Sequence, residues 1–323
     1  MASVVAVVRK TLRRHPTRHG YGRAMLSRTL PLLGPFDLRG SLADLVASAN
    51  DPTIRLRDEA MVRSARTPEG PATLELRRTG PQAQARAWGP GATWALDQAP
   101  GLLGAHDDLA GFEPHRHAQV ARAHHDRPGL RLPRTSSVAD ALVPTILAQR
   151  VTAREAARSW TRIVRRFGEP APGPHGLLLP PSPAELAAMP DSDYHRLGVE
   201  RTRAATIRRA CRRIARLQEA VDLPHDQAMA RLTAVPGLGP WTAALVLRLA
   251  AGDADAVEVG DVHVKNHVSW SLAGEPRGSD ARMLELLEPF RGHRGRVVRL
   301  LLAAGPHAPK RGPRARVVPV DQL

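Results

Sequence analysis

The chain is organised around the pattern of apolar and polar residues between Leu232 and Lys265, which reads LTAVPGLGPWTAALVLRLAAGDADAVEVGDVHVK. This pattern predicts a short helix ending in the hairpin Pro236-Gly237-Leu238-Gly239, then a second helix from Pro240 through Ala250. The apolar run Ala256-Val257-Glu258-Val259 reads as a strand-like segment that delivers Gly260-Asp261 to a third helix. Val264, Val268 and Leu272 continue with helical spacing, and Arg294 to Ala304 form a last helix.

Upstream, Val138 to Gln149 is an amphipathic helix, and Arg150-Val151 separates it from another that begins at Thr152. Thr152 and Glu155 have the spacing of a capping box. Pro180-Pro181-Ser182-Pro183 reads as a linker, from which Ser182 or Pro183 opens a helix through Ala188. Phe112 to His125 is also read as a helix.

From Phe36 to about Gly91 the period changes. Thr53 to Arg57 and Thr73 to Arg77 alternate apolar with polar residues, and Pro68-Glu69-Gly70-Pro71 and Thr79-Gly80-Pro81 supply turns. This is the pattern of a small antiparallel sheet with one wet face.

The breakers Arg127 to Pro133 mark a boundary. The expected architecture is mainly α: residues 1–30 a basic extension, 31–126 a small α/β domain with an antiparallel sheet, 127–306 a helical domain, and 307–323 a disordered basic tail.

A length of 323 residues allows two domains with their own cores. The chain carries 47 Lys plus Arg against 31 Asp plus Glu, a formal charge of +16, and most of its basic residues are Arg. Such a balance suits a polyanionic partner. High-GC codon usage, which fits the Ala, Gly and Pro content, would also enrich Arg.

Cys211 is the single cysteine, which excludes an internal disulfide framework and a thiolate-ligated iron–sulfur cluster. It lies in a helical pattern and reads as core. His115, His117, His124 and His125 crowd one segment but lack a carboxylate or cysteine set at structural zinc spacing, so no metal is expected there. The N-terminal apolar run is short and precedes its basic residues, unlike a secretory signal, and no run approaches the roughly 20 residues of a membrane span. A cytoplasmic, nucleoid-associated protein is expected.

Chemistry enters at the hairpin. Gly237 and Gly239 allow positive φ and close approach of backbone to a ligand, and Pro240 falls at a first helical position, where an N–H has no intrahelical partner. Unpaired amides at a helix N-terminus form a site for a phosphate oxygen, which grips nucleic acid without reading its sequence.

With the Trp-Thr-Ala that follows and Gly260-Asp261 beyond, this stretch resembles the helix-hairpin-helix (HhH-GPD) DNA glycosylases, and most closely the bacterial 3-methyladenine DNA glycosylase II group. The resemblance extends from about Phe36 to Ala304 and is strong from Leu232 to Lys265. It includes Arg127 to Pro133, which resembles the opening of that group's glycosylase domain, and Leu197-Gly198, Arg201 and Arg203-Ala204, which resemble its entry to the helix before the hairpin.

The resemblance implies a base-excision enzyme. Asp261 would be the catalytic carboxylate that stabilises oxocarbenium-like charge on the sugar, a role compatible with capping the next helix. Pro236, Gly237, Leu238, Gly239 and Thr242 would form the DNA-binding hairpin. Trp241, Leu245, Val262 and His293 would fall at pocket positions, although the group has aromatic residues where this chain has the last three. Trp241 can equally be a core anchor of the hairpin helix.

At the position after Gln149 the group inserts a wedge into the duplex. Here that residue is Arg150, which could stack in the gap, touch phosphate, or be a solvated loop residue. Relatives that also cut the strand carry a Lys just after the hairpin, where this chain has Trp241-Thr242, so base removal without strand cleavage is expected. Lys265 is read as ion-pairing or phosphate-facing.

The expected partner is double-stranded DNA containing damaged bases, bound by a monomer with no membrane association. No cofactor is needed for chemistry, and the family implies a monovalent cation at hairpin carbonyls. The expected substrates are alkylated purines of the 3-methyladenine and 7-methylguanine type. Two alternatives remain: a glycosylase for deaminated or oxidised bases, and a non-catalytic protein that binds DNA structure.

Overall fold

The computed structural model describes residues 25–32 and 34–306. Most of the basic extension and the disordered tail expected at the two ends lie outside these residues.

Residues 25–30, grouped with the basic extension by their composition, belong to a strand. This strand, β1 (Met25–Pro31), lies at one edge of a five-stranded sheet with β2 (Ile54–Leu56), β3 (Ala60–Thr67), β4 (Gly70–Thr79) and β5 (Gln82–Trp88), in the order β1-β5-β4-β3-β2. A short helix α1 (Leu38–Leu42), capped by Asp37, lies between β1 and β2. All strand pairs are antiparallel, and Met61 faces Leu76, Ala65 faces Ala72, and Leu76 faces Ala85. That register gathers the apolar side chains on one face, where α2 (Ala92–Leu102) covers them with Ala95, Ala99 and Leu102. The sequence reading did not anticipate α2, whose last turn contains Pro100 and Gly101.

The opposite face is less wet than expected. Ser64, Thr73, Glu75 and Trp88 are buried there, because the segment after β5's helical neighbours returns over them. Ser64 donates to Leu178 O at 2.6 Å, and the Trp88 ring meets His175 edge-on at 4.9 Å.

Helix α3 (Ala118–Asp126) is shorter than the expected Phe112–His125, since Pro114–Arg116 is a 3-10 turn and His117 caps the helix. It packs away from the sheet: Val120 joins the C-terminal core with Val264 and Val297. The helical region begins with α4 (Val138–Leu147) and α5 (Ala153–Phe167), followed by the two-residue strands β6 (Glu169–Pro170) and β7 (Leu178–Leu179). Next come α6 (Pro183–Ala188), α7 (Asp191–Arg196), α8 (Arg201–Arg212), α9 (Ile214–Gln218), α10 (His225–Thr233) and α11 (Pro240–Ala250). Within the described residues, α12 (Val264–Ala273), α13 (Asp280–Leu287) and α14 (Arg294–Ala304) follow.

Leu142, Ile146, Trp160, Ile207, Cys211 and Leu247 share the larger helical core, and burial pushes the Cys211 thiol up to about 12. Full burial of each such aliphatic side chain contributes roughly 1.5–3 kcal/mol. Met283, Leu287, Val297 and Leu301 build the smaller core around α12 and α14.

Two local expectations change. Thr152 Oγ1 accepts from Glu155 N at 3.2 Å, but the Glu155 carboxylate turns to Arg203 (3.4 Å) and does not close the capping box. Ala256 to Val259 is a loop and not a strand, because Val259 N folds back on Val257 O at 2.9 Å. Among the described residues, no helix is long and apolar enough to cross a membrane.

Candidate active site

The hairpin between α10 and α11 depends on Gly237, at φ +96°. Thr206 of α8 packs against it so closely that a Cβ would lie 2.4 Å from Thr206 Oγ1. Gly239 differs from its expectation: at φ −83° and ψ 178° it is ordinary extended backbone and the N-cap of α11. No neighbouring atom lies within 4 Å of a Cβ built there, so the space over the helix start is open.

Pro240 is the first residue of α11, and Ala243 N reaches back to Gly239 O at 3.0 Å. The amides that precede Ala243 include those left free at a helix start. Leu238 and Thr242 serve the hairpin from inside: both side chains are buried, and Leu238 N donates to Val235 O.

Gln149 is a strut between two elements. Its Nε2 donates to Gly237 O at 2.9 Å and to Thr242 Oγ1 at 2.8 Å, fastening the loop after α4 to the hairpin. Next to it, exposed Arg150 adopts φ +57°, a left-handed conformation that costs a non-glycine residue roughly 1–2 kcal/mol. Arg209 Nε donates to Pro236 O at 3.1 Å. Pro236 O and Gly237 O thus each accept one side-chain hydrogen bond.

Asp261 follows Gly260 (φ +94°) at the head of α12. Its Oδ1 accepts from His263 N at 2.7 Å and Val264 N at 3.0 Å, and its Oδ2 accepts from Trp241 Nε1 at 2.8 Å. Burial pushes the Asp261 carboxyl up, but the Val264 and His263 amides, the Trp241 indole and the nearby His263 ring outweigh it. The group is held below its ordinary value and stays ionised. Trp241 therefore orients the carboxylate, which neither of its sequence readings foresaw.

A cavity of about 460 Å³ starts at Trp241 and extends between the helical core and the sheet. Leu45, Pro144, Ala148 and Leu245 give it apolar walls, and Arg248 and Asp44 line it with charge. Trp241, Leu245 and Arg248 lie on one face of α11. Of the four expected pocket residues, only Trp241 and Leu245 meet in this cavity. Val262 is 69% exposed, because it sits at the outer turn before α12. His293 is buried elsewhere: one ring nitrogen lies 2.9 Å from Ala110 O, the other accepts from Arg296 Nε at 3.2 Å, and the ring lies against Phe112.

Arg248 also pairs with Asp44 at 3.1 Å and Glu258 at 2.8 Å. Burial works against the Arg248 charge, but Glu258 and Asp44 more than offset it and raise its pKa. The pair fixes the loop before Asp261, whose amide donates to Glu258 O at 3.1 Å. The sequence reading missed it, although a signal was present: Arg248 interrupts one apolar stretch and Glu258 another, with opposite charges. Two of the four crowded histidines, His117 and His124, have structural contacts, while His115 and His125 are exposed. His117 Nδ1 accepts from Gln119 N, its Nε2 lies 2.9 Å from Leu272 O, and His124 packs on Phe112.

Residues 143–291, which contain the hairpin, Asp261 and the helices that hold them, match the HhH-GPD superfamily of base excision DNA repair proteins. The chain carries an HhH-GPD domain. It is 30% identical over 258 residues to the probable bifunctional transcriptional activator/DNA repair enzyme AlkA of Mycobacterium tuberculosis, covering 74% of this chain and 50% of that one. To DNA-3-methyladenine glycosylase 2 of Escherichia coli it is 32% identical over 119 residues, covering 36% and 42%. The matches thus span half or less of these curated relatives.

Among solved structures, the 3-methyladenine DNA-glycosylase from Archaeoglobus fulgidus is similar with a TM-score of 0.73 at 18% identity, covering 85% of this chain and 98% of that one. The Clostridium acetobutylicum 8-oxoguanine glycosylase/lyase in its apo form has a TM-score of 0.68 at 14% identity, covering 91% and 98%. At these identities the likeness is one of fold.

The depressed pKa of Asp261 sets a pH window for this HhH-GPD site. Its hydrogen bonds contribute stability above the ordinary aspartate value of about 3.9, and this contribution is lost as pH falls through the lower folded value. Turnover that needs the ionised carboxylate should therefore have its acid limb below the ordinary carboxylate range. A rate profile with an acid limb near pH 6 would contradict this reading.

Proposed function

We propose that this HhH-GPD protein is a monofunctional DNA glycosylase that flips damaged bases out of the duplex and hydrolyses the N-glycosidic bond of alkylated purines. The observation that carries the proposal is the ionised Asp261 carboxylate, held by three donors between the hairpin and α12, one of them the indole of Trp241, which also lines the cavity.

In this reading the free amides at the start of α11 hold a backbone phosphate, and the open space over Gly239 admits the strand. The extruded nucleotide brings C1′ beside Asp261, and its base enters the cavity past Trp241 and Leu245. As the base departs, Asp261 stabilises the positive charge on the sugar and orients the water that attacks it. An N3- or N7-alkylated purine is already cationic, so it leaves without a strong general acid. A cavity of mostly apolar walls lined by the indoles of Trp160 and Trp241 is sufficient to bind it.

The position of a Schiff-base lysine is occupied by Trp241, and Lys265 is paired with Asp280 at 3.2 Å, which supports base removal without strand cleavage. A second reading, deaminated or oxidised bases, is favoured by the Arg248–Asp44 pair in the cavity wall, which could hydrogen-bond a neutral base.

The test is release of free bases from methylated, deaminated and oxidised duplexes, with strand integrity checked without alkali. Alkylated purines released from intact strands support the proposal. Release of deaminated or oxidised bases alone supports the second reading, and tight binding with no release supports the non-catalytic alternative.

Affinity for undamaged duplex should fall with salt, by a slope of about 0.9 per phosphate contacted. Arg150, Arg154 and Arg158 are exposed and, among the described residues, have no ion-pair partner. Arg150→Ala is expected to lower the slope by about 0.9. An unchanged slope with weakened base flipping would instead assign Arg150 to the gap in the base stack.

A further inference from the structure

We propose that Asp280, the first residue of α13, is a positioning residue for Asp261; the proposal rests on Asp261 being the catalytic carboxylate. Asp280 Oδ1 accepts from Gly260 N at 2.9 Å, and Oδ2 accepts from Lys265 Nζ at 3.2 Å. These partners flank Asp261: Gly260 is the residue before it, and Lys265 is the second residue of α12, about one turn after it in sequence. One carboxylate on a third helix thus grips the backbone entering Asp261 and the first turn leaving it.

The grip matters because packing does not hold this turn. Gly260 sits at φ +94°, and no neighbouring atom lies within 4 Å of a Cβ built there. The peptide after Gly260 is tied through Asp261 N to Glu258 O at 3.1 Å, so the freedom left is in the peptide before Gly260, whose rotation would swing the adjacent carboxylate relative to the His263 and Val264 amides and the Trp241 indole. The Asp280 hydrogen bond opposes that rotation.

Asp280 is itself well anchored. Ser279 Oγ accepts from Arg282 N at 3.1 Å to cap α13, and Gly278 N donates to Asn266 Oδ1 of α12 at 3.0 Å. Met283 and Leu287 bury the helix in the C-terminal core. The Lys265 ammonium, one turn from Asp261, completes the clamp.

Three variants test the assignment: Asp280→Ala, Asp280→Asn and Lys265→Met, assayed for single-turnover base release on whichever duplex the wild type processes. Displacement of a reacting group by about 1 Å costs as much as a hundredfold in rate. Asp280→Ala should therefore lower kcat roughly tenfold to hundredfold while leaving KM for duplex unchanged.

Its acid limb should also move to higher pH, because a loosened Asp261 loses donors that hold it ionised. The neighbouring charges, His263, Arg248 with Glu258, and Lys265, remain in place in that variant. Asp280→Asn keeps an oxygen for Gly260 N and should recover most of the rate, with Lys265→Met giving a similar mild loss.

The proposal is overturned if Asp280→Ala retains wild-type kcat and acid limb. It is equally overturned if Asp280→Ala loses thermal stability and raises KM in step with a fall in kcat, with Asp280→Asn no better, since that is a purely structural role. A wild type that releases no base would overturn the glycosylase reading and this proposal with it.

Discussion

Asp261→Asn should abolish base release, by about a thousandfold, while affinity for duplex DNA stays within about twofold of wild type. The change is nearly isosteric, and Asn caps helices about as well as Asp, so the Oδ1 contacts with the His263 and Val264 amides can survive and α12 should keep its start. The other side fails: an Asn amide group would point its hydrogens at Trp241 Nε1–H, setting donor against donor. More importantly, the negative charge that offsets the developing positive charge on the sugar is gone. Asp261→Ala should be equally inactive and also lose about 1 kcal/mol of stability through the missing cap. Single-turnover release and a gel-shift titration on the same duplex separate the two effects. An Asn variant with more than a tenth of wild-type turnover would remove Asp261 from the chemistry.

Gly237→Ala should damage stability and DNA binding together. The residue sits at φ +96°, where a Cβ is strained, and that Cβ would fall 2.4 Å from Thr206 Oγ1. Thr206 is buried and its hydroxyl donates to Thr202 O at 2.9 Å, so it cannot simply turn aside. Strain and overlap together should cost about 2–4 kcal/mol in thermal or denaturant unfolding. Because Gly237 O is also the acceptor for Gln149, a shifted hairpin would misplace the free amides of α11, and duplex affinity should drop at least about tenfold. Gly239→Ala provides the contrast. Its backbone is ordinary and its surroundings are open, so stability should change little and only DNA binding should suffer.

The hairpin, Pro240 at the helix start, the helices on either side and Asp261 were all legible in the sequence, because each rests on local chemistry: glycine freedom, proline geometry, helical period and capping. The pocket was not, since it depends on what the tertiary fold brings together. Val262 and His293 stand close to Asp261 or at the head of the last helix in the chain, yet one is exposed and the other is tied to Ala110 and Arg296. Trp241 was placed in the pocket by resemblance, but nothing local could reveal that its indole N–H points at Asp261. The first strand escaped because Arg28 and the basic residues before it masked an edge strand whose partner lies about 60 residues further along the chain. Helix α3 was found but associated with the wrong core, since its Val120 meets residues near the far end of the chain.

The double hydrogen bond of Gln149 has a consequence for how this protein would search a genome. The side chain ties the Arg150 loop to Gly237 and Thr242, so the loop and the hairpin are coupled to each other. If the hairpin holds a phosphate and Arg150 faces the base stack, each landing on DNA would bring Arg150 to the same height against the neighbouring base pair. Pausing and interrogation would then be a single event.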